Sequence, residues 1–226
     1  MPASTHFITG AELDAETLER LLRRAAELKR APLASRALEG RTVALLFNKP
    51  STRTRTSFEA GVFELGGHPM ILRADELQLT RGESIRDTAY VLSRHAAVIG
   101  LRTGVEEELT GLASFASVPV VNMLSPLHHP CQALADLQTM MEAFGGSLSG
   151  RVLTYVGDGN NVARSLAIVG ALAGVEVRVA APAGYQLAPG STPAVLFEDP
   201  VEAVAGADVV YTDVWVSMSD SPESAA

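Results

Sequence analysis

Residues 41–58, Arg41-Thr42-Val43-Ala44-Leu45-Leu46-Phe47-Asn48-Lys49-Pro50-Ser51-Thr52-Arg53-Thr54-Arg55-Thr56-Ser57-Phe58, give the chain its architecture. The apolar run ending at Phe47 suits a short buried strand. Pro50-Ser51 breaks it. Phe58, Val62 and Leu65 then recur at i, i+4, i+7, which predicts a helix from about Ser51 to Leu65, stopped by Gly66-Gly67. A buried strand that turns through hydroxyl-bearing residues into a helix is the repeating unit of a parallel sheet covered by helices.

The same alternation extends in both directions. Upstream, Leu18, Leu21, Leu22 and Ala25 predict an amphipathic helix over 14–30. Downstream, Met70–Leu72, Ala97–Leu101 and Val118–Val121 read as strands, and 73–82 as an irregular polar loop. Ile85, Thr88, Ala89 and Leu92 mark a further helix, and Pro130–Phe144 a long one closed by Gly145-Gly146. After Gly150 the pattern restarts. Val152–Val156 is a strand, followed by Gly-Asp-Gly-Asn-Asn and a helix through about Ala173. Val175–Ala180 is a strand, 201–205 a short helix and Asp208–Thr212 a strand. The expected fold class is α/β, with two domains, 1–145 and 146–226. Each is a parallel β-sheet flanked by helices, the second Rossmann-like and incomplete.

Composition narrows the function. With 226 residues, 47% hydrophobic and 19% charged, the chain is globular rather than disordered or collagen-like. No apolar run approaches about 18 residues, so no membrane span is expected, and the first residues lack a secretory pattern. A net charge of −8 argues against a nucleic-acid partner. A single cysteine, Cys131, excludes an internal disulfide and a cysteine-cluster zinc site. The expected location is cytoplasmic.

The unusual polar residues fall at one kind of place. Ser51–Arg55, Arg102, His129 with Gln132, Asp158–Asn161 and Asp213 each follow the end of an expected strand. Open parallel sheets bind ligands beyond the carboxyl ends of their strands, so these groups can share one crevice between two sheets. The segment Ser51–Thr54 is the sharpest of them. Ser51 can cap the helix, and the first-turn amides with the helix dipole favour an anion. Arg53 offers a planar fork for phosphate. Arg53 and Arg55 do not share a helix face, so one meets the ligand and the other braces the domain. A capped helix with a solvated basic face is the bland alternative.

Gly157–Asn161 resembles the start of a dinucleotide fingerprint, but Val162 occupies the third glycine position and no acidic residue ends the next strand. NAD is therefore disfavoured. Asn160 and Asn161 either bind a polar substrate or serve only as turn and cap. His128 and His129 lack a carboxylate at ligand spacing, so no metal site is expected. Cys131 reads as a small buried residue rather than a nucleophile. His129 can polarise a carbonyl while neutral, or be structural.

Taken together, five ordered motifs resemble the carbamoyltransferase superfamily, and within it the ornithine carbamoyltransferases. They are Phe47-x-Lys49-Pro50-Ser51-Thr52-Arg53-Thr54-Arg55-x-Ser57-Phe58-Glu59, Gln78-x-x-x-Gly82-Glu83-Ser84, His129-Pro130-x-Gln132-x-Leu134-Ala135-Asp136, Gly157-Asp158-Gly159-Asn160-Asn161 and Asp213-x-Trp215-x-Ser217-Met218. The aspartate-specific relatives carry a lysine in the loop before Gly-Glu and lack the last motif, so ornithine is the favoured acceptor.

The resemblance implies a role for each matched residue. Ser51, Thr52, Arg53 and Thr54 hold the phosphate of carbamoyl phosphate, Arg102 contacts the phosphate and carbonyl oxygen, and His129 and Gln132 take the carbamoyl group. Arg53, Arg102 and His129 are the catalytic set. Gln78 reaches a neighbouring subunit's site, which implies a homotrimer with shared active sites. Asn161, Asp213, Ser217 and Met218 hold L-ornithine. The implied reaction yields L-citrulline and phosphate, in arginine metabolism, with no metal or cofactor. Asn48, Asn122-Met123-Leu124, Arg164 and Ser219 depart from the usual pattern. The resemblance also implies a longer chain with a further cysteine loop and a closing helix. As a fragment or shortened relative, this polypeptide is expected to be weakly active or inactive alone. The alternatives are a non-catalytic relative that binds carbamoyl phosphate, and a carbamoyltransferase for another amine.

Overall fold

A computed structural model describes residues 6–77 and 82–213 of the chain. Helix α1 spans Ala15–Arg30, capped by Asp14, whose side chain accepts from the Thr17 amide at 2.7 Å. Four parallel strands follow: β1 (Thr42–Phe47), β2 (His68–Arg73), β3 (Val98–Arg102) and β4 (Val120–Leu124). They are ordered β2-β1-β3-β4. Helices α2 (Thr52–Glu64), α3 (Ile85–His95) and α4 (Glu106–Phe115) connect them. Helix α5 (Pro130–Phe144) leads out of this sheet and ends at Gly145, whose φ of 73° suits glycine.

The second sheet is also parallel. It contains β5 (Val152–Val156), β6 (Glu176–Ala180), β7 (Val195–Phe197) and β8 (Val209–Tyr211), in the order β7-β6-β5-β8. Helix α6 (Asn161–Leu172) joins β5 to β6, and the short α7 (Pro200–Val204) joins β7 to β8. The α/β class with two helix-flanked parallel sheets agrees with the expectation.

Side-chain alternation along β1 explains the layers. Ala44 and Leu46 pack with Ala89 and Leu92 of α3 and Leu109 and Leu112 of α4. Val43, Leu45 and Phe47 face the other way, toward Val62 of α2 and Met123. The second core crosses the expected order of the chain. Leu18 and Leu22 of α1 and Ala133, Leu137 and Met140 of α5 pack with Leu153, Tyr155, Leu166 and Val177 around the second sheet. Both helices precede residue 146, yet they cover the later sheet.

Before α1 the chain ties the halves together. Phe7 forms a parallel bridge with Val121 on the edge of the first sheet. Gly10 then passes so close to α6 that a Cβ there would lie 2.6 Å from Val169 Cγ2. No helix among the described residues is long and apolar enough to cross a membrane.

Local differences from the expected elements have physical reasons. Strand β2 begins earlier, at His68, and tolerates Pro69 because it lies at the sheet edge, where a missing N–H costs nothing. Helix α4 was not expected. Its first turn is Glu106-Glu107-Glu108, stabilised by the positive end of the helix dipole, and only Leu109 and Leu112 are buried. Strand β7 has three residues, too few for a periodic signal.

Candidate functional site

Ser51 has extended backbone, and its Oγ accepts from the Thr54 amide at 3.3 Å, so it caps α2 as expected. The capped end follows the carboxyl end of β1. Phe47 stands beside Arg102 in the β1–β3 register, which brings the last residue of β3 to the same edge. Arg102 is 6% exposed, and one terminal nitrogen donates to Thr54 Oγ1 at 3.3 Å. Its Nε is buried without a partner. Burial and the nearby Arg53 charge both lower the Arg102 pKa. The Arg53 charge thus lies near Arg102 at a helix N-terminus, and neither arginine has a carboxylate in an ion pair among the described residues. Arg55 behaves differently, lying 3.7 Å from Glu59 one turn along α2. Arg53 is exposed in the first turn of α2.

His129 stands at the start of α5, on the path between the sheets. Its amide donates to Ser165 Oγ of α6 at 2.8 Å, and its Nδ1 is buried without a partner. Burial, then the Arg102 charge, pushes its pKa down from 6.5 to about 4, so the imidazole is neutral near pH 7. A neutral imidazole beside Arg102 can donate a hydrogen bond to a carbonyl oxygen without adding charge. Gln132 lies within the first turn of α5, and its Nε2 donates to Asp136 Oδ1 at 2.8 Å. Cys131 is half-buried, its Sγ donates to Asn122 O at 3.4 Å, and burial lifts its thiol to about 12. That environment suits an inert thiol, as expected.

On the facing side, Asn160 caps α6 by accepting from the Val162 and Ala163 amides at 2.9 and 3.2 Å. Asn161 turns the other way and donates through Nδ2 to Ser125 O at 2.8 Å, bridging to the loop before His129. Gly159 is required by close approach, since a Cβ there would sit 2.4 Å from the Leu187 amide nitrogen. Asp213 follows β8, and its charge is near enough to raise the Asp136 pKa. Ser51, Thr54, Arg53, Arg102 and His129 therefore form one group, and Gln132, Asp136 and Asp213 adjoin it. Thr52 is exposed in the first turn of α2. Gln78, Ser217 and Met218 lie outside the described residues.

Several supporting residues escaped the sequence reading. Asn122 is fully buried, and its Nδ2 donates to Ile8 O at 2.8 Å, Ser125 Oγ at 3.2 Å and His128 O at 3.3 Å. It shapes the turn that delivers His129. Glu108 accepts from Asn48 and Thr103, fixing the loop after β3. Ser165 lies mid-helix with no local signal. Asn122 alone carried a hint, as a polar residue inside an otherwise apolar strand.

Comparison with known proteins fits this geometry. A family model described as "Aspartate/ornithine carbamoyltransferase, carbamoyl-P binding domain" matches residues 5–142. A second, "Aspartate/ornithine carbamoyltransferase, Asp/Orn binding domain", matches residues 149–226. The chain is 50% identical, over a 234-residue alignment, to an ornithine carbamoyltransferase of Acidothermus cellulolyticus, covering 98% of this chain and 75% of that one. Identity to the Thermococcus kodakarensis ornithine carbamoyltransferase is 48%, covering 92% and 71%. The ornithine carbamoyltransferase structure from Pyrococcus furiosus superposes with a TM-score of 0.89 at 42% identity, over 99% of this chain and 76% of that one. The Thermus thermophilus structure gives 0.87 at 44%, over 95% and 75%. Shared motifs, both matched domains and the common fold place this chain in the aspartate/ornithine carbamoyltransferase family.

Proposed function

We propose that this chain is an ornithine carbamoyltransferase, moving the carbamoyl group of carbamoyl phosphate to the side-chain amine of L-ornithine to give L-citrulline and phosphate. One observation carries the reading: the buried Arg102 guanidinium, without an ion-pair partner, bonded to Thr54 at the N-terminus of α2 and adjacent to Arg53 and a neutral His129. A buried charge in that state is costly until an anion joins it, and a phosphate dianion fits the hydroxyls, amides and guanidiniums around it.

In this reading Ser51, Thr52, Arg53 and Thr54 hold the phosphate, and Arg102 spans phosphate and carbonyl oxygen. His129 donates to the carbonyl oxygen, and Gln132 takes the carbamoyl amide. The neutral amine of ornithine attacks the carbamoyl carbon and a C–N bond forms. Charge collects on the carbonyl oxygen beside Arg102 and His129. The nitrogen passes a proton to the departing phosphate, the C–O bond to phosphate breaks, and phosphate leaves with the electron pair of that bond. Each preorganised donor contributes about 3 kcal/mol, and holding both substrates in line contributes roughly 7–11 kcal/mol. Asn161, Asp213, Ser217 and Met218 form the ornithine side of the site. Gln78 completes the site of a neighbouring subunit in a homotrimer. The ornithine carbamoyltransferase names of the relatives support the acceptor assignment.

The test is product formation by the purified chain, supplied with carbamoyl phosphate and either ornithine or aspartate. Citrulline from ornithine and no carbamoyl-aspartate is the expected result. Carbamoyl-aspartate as the main product contradicts the acceptor assignment.

A further inference from the structure

Gln132 has two chemically opposite ends, and a carbamoyl amide can be bound through either. The oxygen end accepts from the substrate NH2, whereas the nitrogen end competes with it as a donor. The surroundings settle which end is free. Asp136 lies one helical turn beyond Gln132, at the spacing where side chains meet, and its Oδ1 accepts from Gln132 Nε2 at 2.8 Å. No hydrogen bond among the described residues uses Gln132 Oε1.

Asp136 also faces the second sheet, and its Oδ2 is buried with no hydrogen-bond partner among the described residues. Burial raises its pKa and the Asp213 charge adds to the rise, while the Gln132 amide and the nearby Tyr211 hydroxyl oppose it. Tyr211 stacks on Tyr155 with centroids 5.5 Å apart and planes at 22°. Tyr155 is 1% exposed, and its hydroxyl lies near the side chain of Asn160, the cap of α6. Tyr211 is also two residues before Asp213. Neighbouring side chains therefore run from α5 past β8 and β5 to α6.

We infer that Asp136 is a positioning residue, whose acceptor-only carboxylate holds Gln132 Nε2 away from the substrate and presents Oε1 to the carbamoyl NH2. Asp136 touches no reacting atom. The inference rests on the carbamoyl phosphate reading above.

Two probes separate positioning from general support. Phosphonoacetamide is a hydrolysis-proof isostere of carbamoyl phosphate, and methylphosphonate lacks the amide. In Asp136→Asn the new side chain can donate as well as accept, so the Gln132 amide loses its fixed sense. Calorimetry is expected to show phosphonoacetamide binding weakened about tenfold and methylphosphonate binding within about twofold. Gln132→Ala should match that loss, and the double variant should bind no more weakly than Gln132→Ala alone. Equal losses for both probes, or additive losses in the double variant, overturn the positioning role while leaving the carbamoyl phosphate reading intact. Failure of the unaltered chain to bind phosphonoacetamide overturns that reading, and this one with it.

Discussion

His129 shows how one residue's surroundings set its chemistry. The folded chain holds its pKa near 4, while the unfolded chain takes the proton near 6.5. Its contribution to stability is therefore full above pH 6.5 and drains away as the pH falls toward 4. Between pH 7 and pH 5 that loss amounts to about 2 kcal/mol. His128, also depressed by burial, adds in the same direction. Urea unfolding at the two pH values should show His129→Gln losing about 2 kcal/mol less than the unaltered protein. Equal losses would mean that the imidazole is not held neutral by its site. The polar character of position 129 was legible in the sequence, since a histidine opens a helix after a strand. A neutral imidazole was there only one of two readings, because the burial and the Arg102 charge that hold it neutral come from residues distant along the chain.

At the level of elements, the strongly periodic segments were the readable ones. The strand, cap and helix over 42–64 and the long helix 130–144 carry their own start and stop signals. Helix α4 and strand β7 do not, since tertiary packing rather than local pattern stabilises them. The turn after β5 was legible only in part. Its glycines resembled the start of a dinucleotide fingerprint that Val162 then broke, whereas Gly159 is small because segment 185–187 packs on it, with the Gln186 carbonyl carbon 2.8 Å and the Tyr185 oxygen 2.9 Å from where a Cβ would lie. All three crowding atoms, including the Leu187 nitrogen, are backbone, so the neighbour cannot simply rotate away. Gly159→Ala should cost about 1–3 kcal/mol and lower Tm by about 3–8 °C, read by thermal melting. An unchanged Tm would show that this segment is not seated on the turn.

For the whole molecule, the sequence placed the polar groups at strand ends, and the two parallel sheets bring those ends toward each other. What linear order concealed is how the halves are joined. Helices α1 and α5 cover the second sheet although they come before it, and the segment from Phe7 to Gly10 links the edge of the first sheet to α6. Amphipathic periodicity tells which face of α1 is buried but not against which partner. The crevice formed this way holds Arg102 with a charge that nothing in the described chain neutralises, an arrangement that favours a ligand over the empty fold. Arg102→Met keeps the length of the side chain and removes the charge. Calorimetric titration of this variant with phosphonoacetamide, beside a thermal melt without ligand, tests the account most directly. The expected outcome is binding weakened about 100-fold together with a Tm equal to or above that of the unaltered protein. Binding retained within about twofold would place the anion elsewhere and contradict the assignment.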